Sequence, residues 1–397
     1  MPARAAFAAR RRPAAAHAAT HAAKEAPPEI ALSDIHVLGD RPAPFALDAK
    51  AAMLIDAATG TEIYAYNEHL KMQPASLAKL MTFYLTLDAL STKRIALDTP
   101  IPISEQAWRL SMDQSVSRMF LGVGQQVQVH DLLFGLMVSS GNDAAVALAE
   151  YLAGSTDAFT EQMNAKAKKI GLVETHFMNP DGLPVEGEYT TAADMTKLAR
   201  TLLEHHPEAV TYTSAKEFTF DKIKQRNFNT LLFYDARVDG LKTGHVDEAG
   251  YHLVSSSNSQ GMHLISAVMG TPSSEKRRTE TEKLIDWAFR TYVTAKPDWH
   301  GVVPATIPVF YGTADTVAIA PVSQSAVTVV RGQEGKVILQ WTPAAKYADA
   351  PVAKGAQVGA VALVVDGNPQ GSIAVVTQAS VARGGIFKRL RDHFRRR

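Results

Sequence analysis

The spacing of apolar residues changes character near residue 292, and this change constrains the fold more than any other feature of the 397-residue chain. Before it, segments with a 3.6-residue apolar period alternate with strand-like runs, which predicts an α/β (α+β) domain over residues 46–294. The segment "TAKPDWHGVVPATIPVF" then brings three prolines close together, which is typical of a domain boundary. Beyond it, short β-type runs alternate with turn residues, so we predict a small all-β domain over residues 300–380.

The first domain opens with a hairpin pattern in "AAMLIDAATGTEIYAYN", where two strand-like runs flank the turn residues Thr59 and Gly60. A run of helical period follows, and further helices and strands alternate as far as residue 293. The predicted strands are 51–55, 62–66, 217–220, 251–257 and 262–269, and the predicted helices are 77–90, 129–138, 143–153, 157–170, 192–203 and 279–293.

The two ends of the chain carry basic segments of different kinds. We predict that residues 1–45 form a disordered leader, because the alanine-rich stretch after residues 10–12 lacks the Leu/Val/Phe-rich segment of a secretion signal. Residues 383–397 are predicted to form an amphipathic helix that lies on an anionic membrane surface, and the alternative is a frayed basic tail. The apolar face of this helix is formed by Ile386, Phe387, Leu390 and Phe394.

Composition excludes several classes of function. The absence of cysteine excludes disulfides, zinc–thiolate sites, iron–sulfur clusters and thiol nucleophiles. The 41 basic and 40 acidic residues give a net charge of +1, which argues against a nucleic-acid partner. No apolar run approaches the roughly 20 residues of a membrane-spanning helix. The pairs His130-Asp131 and His205-His206 match no metallopeptidase spacing, so we predict neither a metal site nor a cofactor.

The stretch "MQPASLAKLMT" places Ser76 and Lys79 three residues apart at the start of a helical run. On a helix, residues i and i+3 share a face, so the hydroxyl and the amine can come within hydrogen-bonding reach. The backbone N–H groups at a helix N-terminus can also help to hold an oxyanion. The spacing alone is weak, because Ser273 and Lys276 repeat it in a polar loop, and a capping serine beside a solvated lysine is the alternative.

A second lysine would support the catalytic interpretation. For Lys79 to accept a proton it must spend time neutral, which requires desolvation and another positive charge nearby. The triplet Lys242-Thr243-Gly244 is the predicted source of that charge, and its lysine and threonine could together bind a carboxylate. Gly244 would let a substrate backbone approach closely.

A third polar triplet, Ser140-Gly141-Asn142, lies at the junction of two helical runs in "LMVSSGNDAAVALAE". Its serine and asparagine could point into a cleft, and the alternative is that one of them caps the following helix. Each triplet alone is more often structural than functional. Together they are far more specific, because they occur in this order at separations of 64 residues (76 to 140) and 102 residues (140 to 242).

With these motifs the chain resembles the low-molecular-mass penicillin-binding proteins that act as serine-type D-alanyl-D-alanine carboxypeptidases. The resemblance includes "PASLAKLMT", "VSSGNDAAVALAE" and "GLKTGHVDEAGYHLVSSS", and it covers roughly residue 46 to the C-terminus. It implies a penicillin-binding/β-lactamase-like transpeptidase fold, peptidoglycan pentapeptide stems as substrate and β-lactam antibiotics as inhibitors. It also implies a role in peptidoglycan biosynthesis and cell-shape maintenance, from a peripheral location on the periplasmic face of the inner membrane.

The resemblance further implies a role for each motif residue. Ser76 would be the nucleophile, Lys79 its proton acceptor, and Ser140 the relay of a proton to the leaving D-alanine. The implied substrate-binding residues are Asn142 for an amide of the substrate, Lys242 and Thr243 for its terminal carboxylate, Gly244 beside them, and His245, whose backbone N–H would form the oxyanion hole with that of Ser76.

Three alternatives stay open from the sequence. A DD-endopeptidase would cleave beside a D-alanine with the same residues. A class A β-lactamase would have Ser-Asp-Asn as its middle triplet and a deacylating glutamate further on. The corresponding place here is near His176, and Glu186 and Glu188 follow in a polar loop. The third alternative is a catalytically silent, membrane-associated scaffold, against which the intact motifs argue.

Overall fold

The computed structural model describes residues 31–39 and 41–395, and it confirms the predicted class of a mixed α/β region followed by a β-rich region and a final helix. The strands of the first region are β1 (His36–Val37), β2 (Ala51–Asp56), β3 (Glu62–Tyr66), β4 (Pro100–Pro102), β5 (Gln126–Gln128), β6 (Glu217–Phe220), β7 (Ile223–Arg226), β8 (Val238–Val246), β9 (Gly250–Ser259), β10 (Met262–Thr271) and β11 (Tyr292–Ala295). Its helices are α1 (Lys79–Ser91), α2 (Glu105–Met112), α3 (Val129–Met137), α4 (Asn142–Ala153), α5 (Thr156–Ile170), α6 (Ala192–His205), α7 (Val210–Thr213), α8 (Leu231–Tyr234) and α9 (Ser274–Thr291). The second region has β12 (Thr306–Phe310), β13 (Thr316–Pro321), β14 (Val327–Val330), β15 (Val337–Pro343), β16 (Ala348–Asp349), β17 (Gln357–Val365), β18 (Asn368–Thr377) and α10 (Ile386–Arg395).

An antiparallel sheet of strand order β1-β3-β2-β10-β9-β8 forms the middle of the first region. Successive residues of a strand point to opposite faces, and both faces of β2 meet an apolar core. Ala51 and Ile55 belong to a cluster with side chains of α1, α3, α4 and α6, whereas Ala52 and Leu54 belong to a cluster with side chains of α9. The sheet therefore lies between two layers of helices, which explains why β2 is apolar at nearly every position.

Helix α1 is enclosed on most sides by its neighbours, and most of its side chains are buried. An amphipathic surface helix would leave a polar face in water, whereas a helix surrounded by protein has none. As a result Lys79, the first residue of α1, is carried into the core with 0% of its surface exposed. This burial is the structural basis of the site described below.

The structure differs from the sequence prediction at several elements. Helix α9 begins at Ser274 rather than at residue 279, because Ser273 caps it by accepting a hydrogen bond at Oγ from the Lys276 N–H at 3.1 Å. The second Ser-x-x-Lys pattern is thus a helix start. The apolar pattern does not predict α2, the hairpin β4–β5 or strand β7, whose strands have only three or four residues each, whereas β6 matches the predicted strand 217–220.

The disorder predicted for residues 1–45 does not hold for the described part of that segment. Strand β1 pairs with β3, and the side chains of Ile35, Val37 and Ala43 are buried in the core beside α9. Burial of these apolar side chains contributes a favourable free energy that offsets the conformational entropy lost when the segment is ordered. The prediction for the first 30 residues lies outside the described residues.

The second region folds over its own apolar core as a sheet of order β15-β17-β18-β13-β12-β16. Hydrogen bonds join it to the first region, because β11 pairs with β14. Beside this pair, the buried carboxylate of Asp56 accepts hydrogen bonds at Oδ2 from Thr294 Oγ1 at 2.6 Å and Thr328 Oγ1 at 2.8 Å. The predicted boundary between residues 294 and 300 therefore falls at a hydrogen-bonded junction.

Helix α10 contacts the second region through Asp392, which is 2% exposed. Its Oδ2 accepts hydrogen bonds from the Tyr311 N–H at 2.8 Å and from Lys388 Nζ at 3.0 Å. Four apolar side chains of α10 remain exposed, at 58–88% of their surface: Ile386, Phe387, Leu390 and Phe394. Within residues 31–39 and 41–395, no helix combines the length and apolar character needed to cross a membrane.

Candidate active site

Ser76 lies in a single 3-10 turn, Ala75–Ala78, that leads directly into α1. The residue before it, Ala75, has a φ of +49°, in the left-handed region that residues with a Cβ rarely adopt. Pro74 holds the cap position of this turn, and no side chain makes a capping hydrogen bond there. The serine is therefore not a helix cap, and strained backbone of this kind is concentrated at functional sites.

Lys79 is buried behind Ser76 and its Nζ contacts three oxygens. The nitrogen lies 2.9 Å from Ser76 Oγ, 2.5 Å from Asn142 Oδ1 and 2.5 Å from the backbone oxygen of Asp181. The three-residue spacing on a helical turn brings the serine and lysine together, as the sequence predicts. Asn142 and Asp181 hold the amine in place from the opposite side.

Burial lowers the pKa of Lys79 from 10.5 to about 8. The negative charges of Asp181, Asp143 and Glu188 oppose this effect and raise the pKa. A lysine with a pKa near 8 is neutral often enough near neutral pH to accept a proton. Desolvation, one of the two causes that the sequence argument required, is therefore the leading cause of this shift, and no second positive charge is among the causes that act on Lys79.

Repulsion from Lys79 contributes to the pKa shift of the second lysine, Lys242. Burial lowers the pKa of Lys242 well below 10.5, and the positive charges of Lys79 and Arg277 lower it further. Its Nζ donates hydrogen bonds to Ser140 Oγ at 3.0 Å and to the Thr243 backbone oxygen at 2.9 Å. The second lysine is present at the predicted place, and its charged form is disfavoured.

The triplet Ser140-Gly141-Asn142 does not cap α4. That helix begins at Asn142 itself, and its cap residue is Gly141, with no capping side chain. Ser140 has a φ of +54°, another left-handed backbone at a residue with a Cβ, and its Oγ accepts the bond from Lys242. The two polar side chains of the triplet thus contact the two lysines, one each, and the capping alternative is wrong.

Strand β8 carries the last predicted residues along the edge of the central sheet. A Cβ at Gly244 would lie 2.9 Å from the backbone oxygen of Pro74 and 3.2 Å from Ala75 Cβ. Glycine at this position therefore lets β8 pack against the turn that carries Ser76, whereas the sequence argument assigned it to the approach of a substrate. The exposed ring of His245 stacks on Tyr251 with 3.9 Å between the ring centroids.

A cleft of about 660 Å³ brings the predicted residues together. Lys79 and Lys242 are buried against the groups that line it. The remaining six predicted residues line the cleft itself: Ser76, Ser140, Asn142, Thr243, Gly244 and His245.

Arg277 lines the same cleft and was not found by the sequence analysis, which placed it in a polar loop. Its guanidinium is buried and donates hydrogen bonds to the Phe228 backbone oxygen and Ser274 Oγ, both at 3.1 Å. Burial lowers its pKa from 12.5 to about 10. No carboxylate within the described residues pairs with it, so its charge is available to a ligand.

A buried acidic pair was also missed. Asp181 lines the cleft, and Glu188 is buried although its neighbour Glu186 is exposed. Glu188 Oε1 accepts a weak hydrogen bond from the Met178 N–H at 3.4 Å, and Oε2 has no partner within the described part of the chain. The pKa of Glu188 is raised to about 8, mainly by burial and also by the nearby carboxyl of Asp181, while the hydrogen bond from Met178 and the charge of Lys79 oppose the shift. No periodicity marks a single buried glutamate in a loop.

A sheet covered by helices on both faces, with a buried lysine at hydrogen-bonding distance from a serine at a helix start, defines a serine acyl-transfer enzyme. Family models match residues 39–273 as D-alanyl-D-alanine carboxypeptidase and residues 292–383 as the C-terminal domain of penicillin-binding protein 5. The first match covers more than half of the chain. The chain belongs to the D-alanyl-D-alanine carboxypeptidase family.

Individual relatives agree with this assignment. The chain is 37% identical over 349 residues to D-alanyl-D-alanine carboxypeptidase DacC of Escherichia coli, a match that covers 87% of each chain. Penicillin-binding protein 5 from Haemophilus influenzae is structurally similar, with a TM-score of 0.80, 36% identity, and coverage of 86% of this chain and 99% of that one. Penicillin-binding protein D2 from Listeria monocytogenes in its cefotaxime-bound form matches with a TM-score of 0.57 and 33% identity, over 62% of this chain and 99% of that one. The resemblance seen in the motifs is confirmed, and the protein is a serine-type D-alanyl-D-alanine carboxypeptidase of the penicillin-binding type.

Proposed function

We propose that the enzyme removes the terminal D-alanine from peptidoglycan pentapeptide stems, with Ser76 as nucleophile and Lys79 as proton acceptor. The observation that carries this proposal is the buried Nζ of Lys79, 2.9 Å from Ser76 Oγ. When Lys79 is neutral, the serine hydroxyl donates its hydrogen bond to Nζ. Attack of Oγ on the substrate carbonyl then passes the proton to the lysine and forms the acyl-enzyme.

The oxyanion of the tetrahedral intermediate binds to the backbone N–H groups of Ser76 and His245. These groups belong to the 3-10 turn and to β8, which pack directly against each other at Gly244. Asn142 holds an amide of the substrate while its Oδ1 keeps contact with Lys79. Water then attacks the ester and releases the shortened stem.

Ser140 passes a proton to the leaving D-alanine. Its Oγ lines the cleft and accepts a hydrogen bond from Lys242 Nζ, so its own hydroxyl proton can point toward the departing amine. A Lys242–Ser140 pair thus serves the leaving group, as the Lys79–Ser76 pair serves the nucleophile.

The terminal carboxylate binds to Lys242, Thr243 and Arg277. Thr243 and Arg277 line one cleft, and Lys242 is buried beside them. Burial, and after it the positive charges of Lys79 and Arg277, disfavour the charged form of Lys242 in the free enzyme. A bound carboxylate offers the missing counter-charge, which favours the lysine ammonium and explains a requirement for a free C-terminus.

All residues to which this mechanism assigns a role lie within residues 46–294. Residues 300–380 form the β-rich region that connects this domain to α10. Helix α10 lies on an anionic membrane at the periplasmic face of the inner membrane, inserting Ile386, Phe387, Leu390 and Phe394. Lys388 and Arg391 pair with Asp315, so other arginines of the helix contact the lipid headgroups.

The catalytic proposal is tested with a labelled penicillin and a synthetic pentapeptide. The intact protein should be labelled covalently and should release one alanine from the pentapeptide, as read by mass spectrometry. Ser76→Ala should lose both activities, and the matched control Ser273→Ala, in the other Ser-x-x-Lys pattern, should keep them. Labelling of Ser76→Ala at the normal rate would refute the assignment of the nucleophile.

The membrane proposal is tested by sedimentation with anionic lipid vesicles. Phe387→Glu should release the protein, because it places a charge on the exposed apolar face without touching the Asp392 contact. Val322→Glu, at an exposed valine of the β-rich region, should leave binding unchanged. Deletion of residues 384–397 should abolish salt-sensitive binding, and retained binding would contradict an anchor at α10.

A further inference from the structure

His252 lies in β9 and is fully buried, and the mechanism described above gives it no role. Both nitrogens of its ring have a partner. Nδ1 accepts a hydrogen bond from the Gly270 N–H at 2.9 Å, and Nε2 lies 3.2 Å from the backbone oxygen of Gln73. Because Nδ1 accepts, the proton of the neutral ring is on Nε2, and the imidazole donates it to Gln73.

The surroundings of the ring keep it in this neutral form. The pKa of His252 is lowered from 6.5 to about 4, mainly by burial and also by the charges of Arg277 and Lys50, while hydrogen bonds with the backbone of Gln73 and Tyr251 oppose the shift. Near neutral pH the ring therefore has one donor and one acceptor, and each is used.

The place of His252 in the sheet lets its ring reach the segment that leads to Ser76. His252 on β9 is the register partner of Gly244 on β8, and directly opposite residues of two strands share one face of the sheet. On that face a Cβ at Gly244 would lie 2.9 Å from the backbone oxygen of Pro74. Glycine leaves the face open, and the imidazole beside it contacts the same segment one residue earlier, at Gln73.

An irregularity in β10 provides the other partner of the ring. The pairing of β10 with β9 shifts register between Val268 and Thr271. Within this stretch Gly270 has a φ of +77°, and its N–H donates to His252 Nδ1. The ring is thus held by β10 on one side and donates to the segment before the 3-10 turn on the other.

The segment before the 3-10 turn has a backbone conformation that needs support. Ala75 is in the left-handed region with a φ of +49°, and it directly precedes the Ser76 N–H that the proposed mechanism assigns to the oxyanion hole. The side-chain oxygen Oε1 of Gln73 is buried and has no partner within the described part of the chain. The bond from His252 to the Gln73 backbone therefore joins this strained segment to the central sheet.

We propose that His252 is a positioning residue, whose Nε2–H holds the backbone of Gln73 and thereby keeps Oγ and the N–H of Ser76 in place for acylation. The inference rests on the proposed function, because it concerns the same nucleophile and the same oxyanion hole. A displacement of either group by a fraction of an ångström slows the reaction without unfolding the protein. A histidine that only joined β9 to β10 would stabilise the sheet and leave the acylation rate unchanged.

Two substitutions separate the two bonds of the ring. In His252→Gln the amide nitrogen takes the place of Nε2 and keeps the bond to Gln73, whereas in His252→Asn the amide oxygen takes the place of Nδ1 and keeps the bond from Gly270. Each variant loses one buried hydrogen bond, so calorimetry should show similar decreases in Tm. Stopped-flow acylation by a fluorescent penicillin should show a limiting rate constant about tenfold lower in His252→Asn, at an unchanged half-saturating concentration, and nearly normal in His252→Gln.

The matched control is His263→Asn, at another histidine of the central sheet. Its Nε2 lies 2.8 Å from Ser256 Oγ, away from the 3-10 turn, so the variant should keep the normal acylation rate. Equal rate constants in His252→Gln and His252→Asn would overturn the inference, as would a change confined to the half-saturating concentration. An unsubstituted protein that the penicillin does not label would instead refute the proposed function.

Discussion

The lowered pKa of Lys79 predicts how acylation depends on pH. In the proposed mechanism only the neutral amine can take the Ser76 proton, so the rate should follow the neutral fraction of Lys79. With a pKa of about 8, that fraction rises from about 0.1 at pH 7 to about 0.9 at pH 9, roughly tenfold. An ordinary lysine pKa of 10.5 would give a rise of about 100-fold over the same interval, with no plateau.

The assay is stopped-flow acylation by a fluorescent penicillin over about pH 6 to 10. The second-order rate constant of acylation reports the ionisations of the free enzyme, so it is the quantity to follow. We expect it to level off above a midpoint near pH 8. A rate that kept rising tenfold per pH unit beyond pH 9, or one independent of pH, would refute Lys79 as a buried base.

A neighbouring carboxyl group gives this experiment an internal control. The negative charge of Glu188 raises the pKa of Lys79, so Glu188→Gln should move the midpoint to lower pH. Glu186→Gln, two residues away on an exposed side chain, should leave the midpoint in place. Equal shifts in the two variants would show that a general change of charge, and not contact with the buried site, sets the midpoint.

Three further substitutions test the scaffold around the site. Gly182→Ala should slow acylation at least tenfold, because its Cβ would lie 1.9 Å from the backbone oxygen of Ala75, and normal labelling kinetics would contradict this steric argument. Ser273→Ala should lower the free energy of unfolding by about 1 kcal/mol through loss of the cap of α9, as measured by urea denaturation. Asp56→Ala should lower the Tm by several degrees, since it leaves the hydroxyls of Thr294 and Thr328 without their shared acceptor, and an unchanged Tm in calorimetry would show that water replaces the carboxylate.

Local patterns in the sequence were sufficient to place much of the fold. Strand β3 matches the predicted residues 62–66, and β2 differs by one residue, because both are long apolar runs around a Thr59-Gly60 turn. Helix α2 was missed because its sequence, "EQAWRLSM", is short and mostly polar, and its start depends on the capping bond of Ser104. A short, mostly polar helix is stable only when the surrounding chain packs against it, so its sequence alone does not predict it.

In the candidate site, too, some contacts follow from the local sequence and others depend on parts of the chain that are distant in sequence. The contact of Ser76 with Lys79 follows from helical spacing, and its prediction needed nothing beyond one turn of backbone. Arg277 reaches the cleft from the start of α9, and Glu188 is buried within the segment that joins α5 to α6. The residues near Arg277 and Glu188 in the sequence do not indicate that these two side chains are buried. Only the tertiary structure shows it.

Of the two causes that the motifs suggest for a neutral Lys79, burial is the one that lowers its pKa in the structure, and this bears on substrate recognition. If Lys242 held Lys79 neutral by repulsion, a bound carboxylate would neutralise Lys242 and thereby weaken the base at the moment of reaction. Burial of Lys79 by α1 does not depend on the ligand, so the base keeps its lowered pKa when the carboxylate arrives. Burial and the charges of Lys79 and Arg277 disfavour the ammonium form of Lys242, which a bound carboxylate would restore. Burial therefore lowers the pKa of Lys79 before any ligand arrives, and a bound carboxylate favours the charged form of Lys242.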